Sequence, residues 1–190
     1  MTGSIKNLIG KSLGIRHGEG ARVTLMFVYI FLVISCLMIV KPVASSLFLS
    51  TFGANRLPYV FMMVAVFAAL AVSVYSRWLR RVDLFKLMIR TLQVSIASLL
   101  FFRAVLHLPV IRGEMLFVFY VWAAVFGLIT ASQFWILANT IFNPREAKRL
   151  FSVVGAGAIA GGICGGYLTK FLAAFLGSAN LLFICVGCLG

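Results

Sequence analysis

Apolar residues fall in runs of twenty or more along this chain, and polar residues cluster in the short segments between them. Twenty helical residues rise about 30 Å, the thickness of a bilayer's hydrocarbon core. On that ruler the chain reads as an all-α polytopic transmembrane bundle. Five full spans are expected, at about 21–49, 57–78, 84–108, 115–142 and 150–172, then an apolar stretch over 178–190 that is two-thirds of a span. The first run is long enough to tilt, or to kink at Pro42. The chain stops inside the sixth run, so the expectation is the N-terminal part of a longer protein. Residues 1–20 are polar, basic and glycine-rich. Ile5, Leu8, Ile9 and Leu13 form the apolar stripe of a short amphipathic segment, and Gly10, Gly14, Gly18 and Gly20 weaken it as a helix. It has no short apolar core followed by a small-residue cleavage site, so no signal peptide is expected there.

Composition sharpens this picture. The chain is 63% hydrophobic and 11% charged, against roughly 45–50% and 25% in soluble domains. A soluble enzyme, a disordered tail and a disulfide scaffold are all disfavoured. Seventeen Lys and Arg face four acids, a net charge of +13. Such an excess would suggest nucleic acid in a soluble protein, but topology explains it better here. Lys6, Lys11, Arg16 and Arg22, then Arg77, Arg80, Arg81 and Lys86, then Arg145, Lys148 and Arg149 fall on one side of the spans. Arg56 and Arg112 fall on the other. Positive charge gathers in the cytoplasm, so the N-terminus is expected inside, in a cell inner membrane. No nucleic-acid partner is expected.

The remaining cations lie within the spans: Lys41, Arg90, Arg103 and Lys170. Lys41 is the deepest and adjoins Pro42. A cation at that depth carries a penalty of a few kcal/mol and marks a functional site by default. No acid lies at comparable depth, so Lys41 must meet a backbone carbonyl, water, an acid elsewhere or an anionic substrate; the alternative is snorkelling to the surface. Arg103 and His107 share a helix face, and Arg90 lies about two turns inside its span; interface anchoring competes with ligand contact for each. Thr130 and Gln133 can face one cavity. A buried amide there either orients a substrate or bonds helix to helix.

Val153 to Ala160 fits the G-x-G-x-x-G/A fingerprint of dinucleotide binding. That site needs a preceding strand and a later acid, and no acid follows Glu146. No cofactor is expected. The glycines instead recur every fourth residue within an apolar span: Gly157, Gly161 and Gly165, and separately Gly162 and Gly166. Such grooves let helix backbones approach closely, either as static packing or as a sliding seam. Four cysteines lie in apolar runs, and Cys185–Cys188 has no His or acid nearby, so no metal site is expected. No nucleophile–base pair or carboxylate dyad appears, so no enzyme is expected.

The basic stretch from Tyr75 to Arg81 and the glycine-rich fifth span resemble the corresponding parts of major facilitator superfamily transporters, though without that fifth helix's usual proline. Phe134-Trp135-Ile136-Leu137-Ala138-Asn139, followed by Arg145-Glu146-Ala147-Lys148-Arg149-Leu150-Phe151, resembles the "FW…AN…EAKR" signature of the ATP/ADP carrier, or nucleotide transporter, family of bacteria and plastids. The resemblance implies the first six-helix half of a facilitator-type fold, completed by a second half of the same chain. It implies secondary active transport of a small anionic solute, a nucleotide or phosphorylated metabolite, by alternating access. Lys41 followed by Gly53-Ala54 matches the family's first-helix lysine. The family's fourth-helix glutamate is absent: Tyr120-Val121-Trp122-Ala123-Ala124 stands there. The residues expected to contact substrate are Lys41, Gln133 and Arg103. A non-transporting anchor for a cytoplasmic domain is the alternative.

Overall fold

A computed structural model of the chain describes residues 19–105 and 112–176. The N-terminal amphipathic segment, His107, the sixth apolar stretch and Cys185–Cys188 lie outside the described residues. Five long helices make up the rest: α1 (Gly20–Phe52), α2 (Leu57–Leu79), α3 (Leu84–Val105), α4 (Arg112–Ile141) and α5 (Pro144–Leu176), with a 3-10 turn at Ala54–Arg56 between α1 and α2. The expected all-α fold is the one observed, with no strand among the described residues.

Local chemistry sets the helix ends. Gly53 terminates α1 at φ 71°, ψ 176°, a conformation that a side chain would strain, and its N–H bonds to the Leu49 carbonyl at 3.0 Å. Pro58 lies in the first turn of α2, where its missing N–H leaves no bond unmade. The start of α5 differs from the apolar ruler. The helix begins at Pro144 rather than near Leu150, so Arg145, Lys148 and Arg149 ride on its first turns instead of in a loop. The Asn143 N–H donates to Glu146 Oε2 at 3.1 Å, half of a capping box. Proline at the first position adds to this. The two together carry the helix beyond its apolar span. Pro42 sits inside α1 without ending it.

Helix α1 is the hub of the described bundle. It packs most extensively against α5 and next against α4. One core cluster joins Val40 and Ala44 of α1 to Leu99 and Phe102 of α3 and to Phe119 and Ala123 of α4. A second joins Met26 and Ile30 of α1 to Phe134 of α4, to Phe142 just beyond its end, and to Leu150 and Val154 of α5. Helix α2 leans mainly on α4, while α2 and α3 barely touch.

Large apolar side chains stand on the outer surface as well as in the interior. Helix α2 buries only Val60, while Tyr59, Met62, Leu70 and Trp78 stand exposed. A soluble monomer does not carry so much contiguous apolar surface; lipid tails accommodate it. Among the described residues, five helices are long and apolar enough to cross a membrane. The chain is a multi-pass membrane protein in contact with the bilayer.

Candidate functional site

All four acids of the chain sit at helix ends. Glu19 precedes α1, Asp83 precedes α3, and Glu114 and Glu146 lie in the first turns of α4 and α5. The ion pair formed among the described residues is Arg149 to Glu19, at 2.6 Å, tying the start of α5 to the start of α1. Lys41 therefore meets no carboxylate from these residues. It lies roughly 16 Å from the C-terminal end of α1 at 1.5 Å per residue.

A niche in α4 receives its stem. A Cβ built on Gly127 would lie 3.2 Å from Lys41 Cε and 3.7 Å from Nζ. Any larger residue at 127 would press on the lysine. Beside it is a cavity of about 200 Å³ between α1, α2 and α4, lined by Lys41, Ala44, Ser45, Phe61, Tyr120 and Ala123 among others. Small side chains make the space, and the rings of Phe61 and Tyr120 flank it with centroids 6.5 Å apart. Small-molecule pockets hold roughly 300–1,000 Å³. This cavity suits the charged part of a ligand rather than a whole one. Its charged wall is a lone ammonium with three donors. That chemistry accepts an anion.

The other expected contacts lie elsewhere. Gln133 is 1% exposed, and its Nε2 donates to Thr91 Oγ1 at 2.8 Å, bonding α4 to α3. The Thr130 hydroxyl bonds back to the Phe126 carbonyl within α4. Arg103 is half-buried near the end of α3. None of the three lines the Lys41 cavity. Gly127 was not evident in advance, because a single mid-span glycine has no period; its meaning comes from the lysine opposite.

The glycine stripe has a definite geometry. Cβ atoms built on Gly157, Gly161 and Gly165 would fall 2.9, 2.5 and 2.7 Å from the carbonyl oxygens of Phe27, Phe31 and Ser35. No side chain fits there, so α1 and α5 touch backbone to backbone. Gly162 would meet only Ile34 at 3.8 Å, and Gly166 nothing within 4 Å among the described residues. Two hydroxyls cross the same seam. Ser35 Oγ donates to the Gly161 carbonyl at 3.0 Å. Thr169 Oγ1 lies 3.0 Å from the Met38 carbonyl. Thr169 continues the four-residue spacing of the stripe, which was the sequence signal for it.

The signature-like residues surround the α4–α5 corner. Phe134 and Ala138 are buried, Trp135 meets Phe151 edge-on at 5.7 Å, Glu146 caps Asn143, and Arg149 holds Glu19. The described fold is thus a helical membrane bundle with a small cavity, lined in part by Lys41, between α1, α2 and α4. Residues 106–182, spanning α4 and α5, match the family model of the TLC ATP/ADP transporter. This match supports a likeness to nucleotide transporters; it does not reach α1 and Lys41. No curated protein and no solved structure matches the chain.

Proposed function

We propose that this chain is the first half of a secondary active transporter of facilitator type, carrying a nucleotide or similar phosphorylated anion by alternating access. The observation that carries the proposal is Lys41: a cation deep in α1, seated in the Gly127 niche, facing a cavity and meeting no carboxylate among the described residues. The match over α4 and α5 supports a nucleotide as the substrate class. A second half of the chain would close the cavity and complete the site near the midplane. The basic ends of α2 and α5 support a cytoplasmic N-terminus in the inner membrane.

In proteoliposomes holding the full-length protein, Lys41→Ala is expected to lower uptake of labelled ATP or ADP by about 10- to 100-fold. That is the scale of losing a hydrogen bond to a charged group. Lys41→Arg keeps the charge and should retain part of the uptake. Undiminished uptake by Lys41→Ala would remove the lysine from the mechanism. The departure at Tyr120–Ala124 from the family's glutamate makes phosphorylated metabolites the second group of substrates to assay.

A further inference from the structure

A second cavity of the described bundle lies away from Lys41. It is a groove of about 650 Å³ between α2, α3 and α4, reaching from Met63 to Trp78 along α2. That stretch is roughly 22 Å at 1.5 Å per residue, more than half the thickness of a bilayer core. Its walls are bulky and apolar, including Phe67, Val94 and Trp122. Arg90 joins Trp78 and Leu87 in the lining. Arg90 is exposed and forms no ion pair among the described residues. Arg77, Arg80, Arg81 and Lys86 flank the α2–α3 turn, where Asp83 is the one acid.

The geometry points to a binding site for an anionic phospholipid, with an acyl chain along the groove and the phosphate at Arg90. Two observations select this occupant. The groove is open along the diverging faces of α2 and α3, which barely touch each other. It is apolar along its length and cationic at the end where α2 finishes and α3 begins, which is the polarity of a lipid. Basic residues at a membrane surface attract anionic lipid, and here they adjoin a slot for its tail. The site is independent of what the Lys41 cavity carries.

Trp78 and Trp122 line the groove and report on its occupant, while Trp135 lies against Phe151 of α5. In a Trp135→Phe background, the protein is reconstituted in phosphatidylcholine with increasing dibrominated phosphatidylglycerol or dibrominated phosphatidylcholine. Half-maximal tryptophan quenching is expected at about fivefold lower mole fraction of the anionic lipid, the preference that one basic side chain at the surface provides. Arg90→Gln should narrow the gap between the two curves, Arg90→Lys should keep most of the preference, and Arg56→Gln, at the far end of α2, should leave it unchanged. Coincident curves in the Trp135→Phe parent would overturn the proposal. So would an undiminished preference in Arg90→Gln. Absence of quenching by either lipid, the sign that protein covers the groove, would overturn it as well.

Discussion

The α1–α5 seam and the α2–α3–α4 groove are built from equally apolar helices, yet one is closed to backbone contact and the other stands open. The seam has glycine at each fourth position, and carbonyls of α1 lie where side chains of α5 would be. The groove has Phe67, Trp78, Val94 and Trp122 on its walls, and α2 and α3 stay apart. In water both surfaces would be driven to bury. In lipid, apolar area gives no such drive, because tails solvate Leu as well as another helix does. What remains is shape. Small residues let dispersion contacts and interhelical hydrogen bonds accumulate, whereas large ones leave a slot for lipid.

The largest expected effect comes from closing the glycine seam to approach. Gly161→Ala puts a methyl 2.5 Å from the Phe31 carbonyl and 3.0 Å from its Cα. Both atoms are backbone, so the helices must separate. Alanine favours a helix over glycine by about 1 kcal/mol, but overpacking of this kind costs typically 1–3 kcal/mol and removes the Ser35 bond as well. A net loss of about 2 kcal/mol is expected in reversible SDS unfolding of the purified protein. Gly166→Ala, with open space around it, should be neutral or stabilising by up to about 1 kcal/mol. Equal losses from the two substitutions would mean the seam does not discriminate between the glycine sets.

The comparison also shows what the sequence could reveal. The five spans were legible because an apolar run of twenty residues has few other uses. The glycine spacing announced a close approach, yet both glycine sets fit it equally; which one meets α1 depends on how α5 is rotated. The depth of Lys41 was legible from its place in the run. Its seat was not, since Gly127 lies on another helix and nothing local links the two. Helix α5 starts ahead of the apolar run because backbone capping by Glu146 continues the helix into water, where hydropathy sees only Arg145, Lys148 and Arg149. Gln133 read equally as ligand or helix bond, and its partner Thr91 could be found only in three dimensions.

A smaller effect is expected where the seam meets water. Arg149 and Glu19 join the ends of α5 and α1 at 2.6 Å, with the side chains 30% and 17% exposed. Partial exposure and counter-ions limit such a pair to about 1 kcal/mol or less. Glu19→Gln should lower stability by that amount at low salt, and the loss should shrink as sodium chloride rises past about 0.5 M. The Gly161→Ala loss is steric and should not respond to salt. A Glu19→Gln deficit that persists unchanged at high salt would assign the contact to packing rather than charge.

The smallest effect belongs to the hydroxyl within the seam. Ser35 is 3% exposed, and its bond to the Gly161 carbonyl crosses between helices. That carbonyl also belongs to the α5 backbone, so Ser35→Ala leaves an acceptor that is already engaged in its helix. The alanine fills almost the same volume, and the close approach at Gly161 is kept. Interhelical side-chain hydrogen bonds in membranes average about 0.6 kcal/mol, and Ser35→Ala should cost no more than that in SDS unfolding. Combined with Gly161→Ala it should add little, because the separated helices have already lost the bond; double mutants of contacting residues depart from additivity in this way. Full additivity of the two losses would show that the hydroxyl acts apart from the seam.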